Sequence, residues 1–130
     1  MRPVMQATLL ALAFLLAANS ALAVPPYKQI LGDWTSNFGP VHVDLVSLEP
    51  ATGGTKVKGS WLEGPDKKGL ITSGRYDPAT KKLTLDYTET WTKLSGHAVL
   101  VLDKSATELA GPFKTSNGQT GQWIWKRKRP

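Results

Sequence analysis

The residue best placed to do chemistry in this sequence is a carboxylate set among rings. Leu83, Leu85, Tyr87, Glu89 and Trp91 alternate with Thr84, Asp86, Thr88, Thr90 and Thr92. Residues two apart in a strand share a face, so Glu89 falls on the apolar, inward side. A buried carboxylate must be paired, or its pKa rises. Two uses stay open. Glu89 is a polar anchor for a ligand held among the rings, or it sits at a rim where the strand overshoots and water, or a Lys or Arg side chain, satisfies it.

No other group of residues has the make-up of a catalytic centre. There is no cysteine to act as a nucleophile, and the two histidines, His42 and His97, fall in different segments. No Ser-His-Asp arrangement or Gly-x-Ser-x-Gly turn flanks them. No His or carboxylate cluster has metal-ligand spacing. The expectation is a protein without enzymatic activity, metal or cofactor.

The elements that must position Glu89 and its rings show in a repeat, glycine-x-aromatic. It occurs as Gly32-Asp33-Trp34, Gly59-Ser60-Trp61, Gly74-Arg75-Tyr76, Gly111-Pro112-Phe113 and Gly121-Gln122-Trp123. In a strand, each copy puts a ring and a bare backbone position on one face. A glycine inside a strand marks a bend or a close approach, which a small closed barrel needs. Turn signals recur at intervals of roughly 10–15 residues, with no helical period. Strands are expected at 31–38, 41–48, 56–63, 70–76, 83–92, 97–102, 108–115 and 121–127, with a loop over 64–69. Short connections imply sequential antiparallel neighbours, and eight such strands can close on themselves. The fold class is all-β, an eight-stranded antiparallel up-and-down barrel. Ile71, Val99 and Ile124 are expected to face outward, where they could pair subunits.

Closure makes a further demand. Trp34 near the start of the first strand and Arg127 at the end of the last would be neighbours, both facing inward. The Arg127 guanidinium is then expected to stack on the Trp34 ring.

Upstream of the barrel, Arg2, an uncharged apolar run over 7–18 and the small-residue site Ala21-Leu22-Ala23 have the pattern of a cleaved signal peptide. The apolar run is shorter than the roughly 20 residues a membrane span needs. The expected organisation is a signal peptide at 1–23, an N-terminal arm at 24–30 kept extended by Pro25 and Pro26, a barrel at 31–127 and a basic tail at 128–130. The expected location is periplasmic or secreted. The whole chain carries a formal charge of +6, partly concentrated in Lys126-Arg127-Lys128-Arg129. That cluster reads as a solvated end that aids solubility, not as a nucleic-acid site.

These motifs resemble the calycin barrels, the avidin-like and lipocalin-like proteins. Gly32-Asp33-Trp34 is similar to their first-strand Gly-x-Trp. Val57-Lys58-Gly59-Ser60-Trp61 and Ile71-Thr72-Ser73-Gly74-Arg75-Tyr76-Asp77 are similar to avidin-type strands, and Trp125-Lys126-Arg127 to the basic end of the last calycin strand. The resemblance implies a ligand-holding barrel, but its biotin residues are not retained. Ser36 stands where avidin-type proteins have an asparagine, Pro40 where they have a serine, and Trp61 where they have a tyrosine.

The sequence therefore leads to an exported, non-enzymatic barrel holding a small, largely apolar or aromatic ligand, with Ser36, Trp61, Tyr87, Glu89, Trp91 and Phe113 as ligand-binding candidates. Trp34 and Arg127 are structural candidates. The competing reading is a periplasmic protein-interaction barrel, such as a protease inhibitor acting through the arm at 24–30.

Overall fold

The computed structural model describes residues 25–51 and 53–128. The expected leader at 1–23, Val24 and the last two residues of the basic tail lie outside the described residues. Eight strands follow one another around a closed barrel: β1 (Gly32–Ser36), β2 (Val41–Glu49), β3 (Gly54–Gly64), β4 (Lys67–Asp77), β5 (Lys82–Glu89), β6 (Ser95–Leu102), β7 (Glu108–Thr115) and β8 (Thr120–Arg127). Every neighbouring pair is antiparallel, and β1 closes on β8 through Trp34↔Arg127, Thr35↔Lys126 and Ser36↔Trp125. Closure leaves no open sheet edge. No helix among the described residues is long and apolar enough to cross a membrane.

The glycine-x-aromatic copies all turn their rings inward: Trp34, Trp61, Tyr76 and Trp123 are buried and Phe113 is half-buried. Ile30, Trp34, Leu83, Leu85, Leu100, Leu109 and Trp125 are fully buried and fill one half of the interior. The residues just before β1 seal that end. Residues Pro26–Gln29 form a short 3-10 turn, where the sequence suggested an extended arm. Proline sits comfortably in the first turn because its fixed φ suits a helical start and its missing N–H would be unpaired anyway. The turn drops Ile30 into the barrel floor, where the Trp34 indole N–H donates to the Ile30 carbonyl at 3.0 Å.

Arg127 completes the floor. Its guanidinium carbon stands 4.0 Å from the Trp34 ring centroid. Nη1 donates to the Leu31 carbonyl at 2.6 Å, and Nη2 donates to the Gln29 carbonyl. Burial lowers its pKa. The cation thus ties the N-terminal turn to the last strand.

Several expectations are corrected. The proposed loop over 64–69 is a two-residue connection, Pro65-Asp66, between strands paired as far as Gly64↔Lys67. Ile71 faces inward and is only 2% exposed. A register shift between Ile71 and Ser73 against β5 inserts one extra residue, and a bulge of this kind reverses the parity of every residue beyond it. Of the three outward residues expected to pair subunits, Val99 is half-buried and Ile124 is exposed. Leu45 has the parity of Val41 and Val43 but is 40% exposed. The β1 pairing of β2 ends at Gly32↔Val43, so Leu45 lies past the edge of its neighbour. Strand β5 ends at Glu89, and Trp91 stands in the turn that follows.

Candidate functional site

The end of the barrel opposite Arg127 is open. The connections β1–β2, β3–β4, β5–β6 and β7–β8 meet there, and a cavity of about 270 Å³ lies beneath them. Its walls are Phe38, Trp61, Tyr87, Trp91, Phe113 and Trp123, with Leu94. Its polar lining comprises Glu63, Glu89, Thr92, Asn117 and Gln119. The interior is therefore neither wholly filled nor wholly hollow, being packed below and open above.

The rings hold one another edge to face. Trp61 meets Trp123 at 5.0 Å between centroids, Tyr87 at 5.5 Å and Trp91 at 6.3 Å, with interplanar angles of 70°, 87° and 79°. Phe38 meets Phe113 at 5.4 Å. Aromatic pairs favour this tilt because a ring's positive edge meets its neighbour's negative face. Three of the wall rings also lie over a glycine of the next strand: Trp61 pairs with Gly69, Tyr87 with Gly96 and Phe113 with Gly121. A Cβ at any of these glycines would collide with the ring. The bare backbone lets the ring lie flat against the wall and leaves the centre free.

Polar contacts fix the frame. The Tyr87 hydroxyl and Thr115 Oγ1 share a buried hydrogen bond of 2.8 Å. Burial raises the Tyr87 pKa; the Thr115 bond opposes this, and the charges of Glu89 and Glu63 add to the rise. Asn37 joins β1 to β8 at the rim. Its Nδ2 donates to the Gln122 carbonyl at 2.9 Å, and its Oδ1 accepts from the Ile124 N–H at 2.9 Å.

Of the six ligand-binding candidates, Trp61, Tyr87, Glu89, Trp91 and Phe113 converge on this one cavity. Ser36 is not among the lining residues. Its hydroxyl accepts from the Phe38 N–H at 3.1 Å and from Trp123 Nε1 at 3.2 Å, and donates to the Gly39 carbonyl at 2.5 Å. It braces a wall ring from behind. Glu89 lies half-buried at the rim. Its Oε1 accepts from the Thr92 hydroxyl at 2.7 Å, and its backbone folds the turn through bonds with Leu94 and Lys93.

The sequence reading missed Phe38, Glu63, Thr92, Leu94, Asn117, Gln119 and Trp123 as site residues. Glu63 and Trp123 had a signal, since Glu63 stands two residues after Trp61 on β3, and Trp123 is part of the repeat. Nothing local marks the loop residues Asn117 and Gln119. Neither histidine approaches the cavity. His42 lies on the outer surface, with Nδ1 2.7 Å from Asp33 Oδ1 and Nε2 2.9 Å from Asp44 Oδ1. His97 Nδ1 lies 2.9 Å from Asp86 Oδ1, also at the surface. Among the described residues no group of three or more His, Asp or Glu could hold a metal ion.

No protein-family model matches the sequence, and neither does any curated protein. Among solved structures the chain is similar to a redesigned β-barrel, b11L5F_LGL, with a TM-score of 0.53 and 16% identity over 81% of this chain and 96% of that one. A second redesigned barrel, mFAP0, solved bound to DFHBI, aligns at a TM-score of 0.49 and 15% identity over 76% of this chain and 99% of that one. The likeness to the first is one of fold, a closed antiparallel β-barrel.

Proposed function

We propose that this protein is an exported, non-catalytic binding barrel that holds a small aromatic ligand in the open-end cavity, in the manner of the lipocalin-like barrels its motifs resemble. The observation that carries the reading is the cavity itself: about 270 Å³ walled by six aromatic side chains. An engineered apolar cavity of ~150 Å³ accepts benzene, and pockets for drug-sized molecules start near ~300 Å³. The size therefore suits a ligand of one or two rings. Burying ~250 Å² of such a ligand at ~25 cal/mol per Å² contributes about 6 kcal/mol before the entropy of association is subtracted. About 6 kcal/mol alone corresponds to a dissociation constant of tens of micromolar, so affinities between about that and about a millimolar are expected.

Titration with 2-naphthol, followed by quenching of tryptophan fluorescence, tests the reading. Binding should saturate below about 1 mM, and Trp91→Ala should weaken it at least tenfold with little loss of stability, because Trp91 lies in a turn and is only partly buried. No saturable binding of any one- or two-ring aromatic would overturn the proposal. Export rests on the Ala21-Leu22-Ala23 site and is checked separately, since the exported protein should begin at Val24 on N-terminal sequencing. The protease-inhibitor alternative needs a projecting arm, and the described part of that arm is bound to the barrel floor by Arg127 and Ile30.

A further inference from the structure

The cavity mouth has a charge opposite to that of the protein as a whole. The chain holds 16 Lys and Arg against 10 Asp and Glu, yet the residues lining the cavity include Glu63 and Glu89 and no basic side chain. The two carboxylates stand at the ends of different strands, β3 and β5, on the same rim. Neither forms an ion pair among the described residues, while other carboxylates do: Glu49 pairs with Arg75, and Asp33, Asp44 and Asp86 meet histidines. Glu89 has one oxygen engaged by Thr92 Oγ1, which orients the carboxylate. Lys68 at the start of β4 and Lys93 in the β5–β6 turn are not among the lining residues.

The walls suit the same charge. The faces of Trp, Tyr and Phe rings attract a cation, and cages of such rings recognise organic ammonium groups. Glu89 ends β5 and Trp91 stands in the turn that follows, and Trp61 lies between that turn and Tyr87. A ligand with its rings in the cavity would carry a substituent at the mouth between rings and carboxylates.

Resting on the reading of the cavity as a ligand site, we infer that the ligand is an organic cation: an aromatic amine-bearing or quaternary ammonium molecule, ring inward, with its positive group at Glu63 and Glu89. The rings supply the apolar burial, and the rim carboxylates select the charge. Repulsion at the same rim disfavours an anionic aromatic. Overall positive charge slows approach of the cation from a distance, but within a Debye length of ~8 Å at physiological salt the local carboxylates dominate.

The test compares three indoles of similar size and different charge by calorimetry at pH 7: tryptamine, tryptophol and indole-3-acetate. Tryptamine should bind at least tenfold more tightly than tryptophol, and indole-3-acetate most weakly. The double variant Glu63→Gln, Glu89→Gln should erase the tryptamine advantage, bringing tryptamine and tryptophol within about twofold of each other. Its unfolding midpoint confirms that the variant folds, and the near-isosteric Gln at 89 can still accept the Thr92 hydrogen bond. Raising the salt concentration should narrow the gap between tryptamine and tryptophol. Equal binding of the three, or a charge preference that survives in the double variant, overturns the inference and leaves the aromatic cavity standing. Failure of all three indoles together with 2-naphthol overturns the ligand site as well.

Discussion

Replacing Arg127 by lysine tests how the barrel closes, without touching the cavity. The guanidinium caps two carbonyls, those of Gln29 and Leu31, and stacks 4.0 Å from the Trp34 centroid. A lysine ammonium can reach one of these carbonyls but cannot lie flat on the ring while bridging both. The change therefore removes about one charged hydrogen bond, worth ~1.5–3 kcal/mol, and part of a cation–π contact worth ~0.5–2 kcal/mol. The expected loss is about 3 kcal/mol. With a urea m-value of ~1–3 kcal/mol/M, the midpoint, followed by tryptophan fluorescence, should fall by about 1–3 M. Lys126→Ala, one position earlier and facing outward, should stay within ~0.5 kcal/mol of the parent. Binding of 2-naphthol by folded Arg127→Lys should be unchanged, because the cavity lies at the opposite end. If Arg127→Lys and Lys126→Ala shift the midpoint equally, the floor does not depend on Arg127 and the argument fails.

Gly69→Ala should destabilise the barrel by ~1–3 kcal/mol, as overpacking does, since its Cβ would collide with the Trp61 ring. It should also alter the near-ultraviolet circular dichroism and weaken aromatic binding, and parent-like stability would refute the role given to that glycine. The His42 pKa is raised above 6.5 by hydrogen bonds to Asp33 and then Asp44. A group whose pKa is raised on folding stabilises most below its unfolded value and loses that contribution as pH climbs through the folded one. His42→Asn should therefore flatten the dependence of stability on pH upward from about 6.5. The effect should be small, because the side chain is about half exposed. An NMR titration midpoint for His42 at or below 6.5 would contradict this.

Much of the barrel is legible in the chain because strand parity is a local property. Alternation alone puts Leu83, Leu85, Tyr87 and Glu89 on one face, and the glycine-x-aromatic spacing turns Trp34, Trp61, Tyr76, Phe113 and Trp123 inward. Short connections leave a meander, and its closure brings Trp34 opposite Arg127. Tertiary structure decided what parity cannot encode. The bulge after Ile71 reverses the side that residue faces, because it depends on how β4 fits β5 rather than on β4 alone. Ser36 is taken up by Phe38, Gly39 and Trp123, contacts made by a turn and a strand far along the chain. Above all, the sequence does not say which end of the barrel is open. That depends on the 3-10 turn carrying Ile30 into one mouth and on how the summed volumes of the inward side chains fall short at the other. Rings seated over Gly69, Gly96 and Gly121 keep to the wall, and the space they leave is a property of the closed cylinder, not of any one strand.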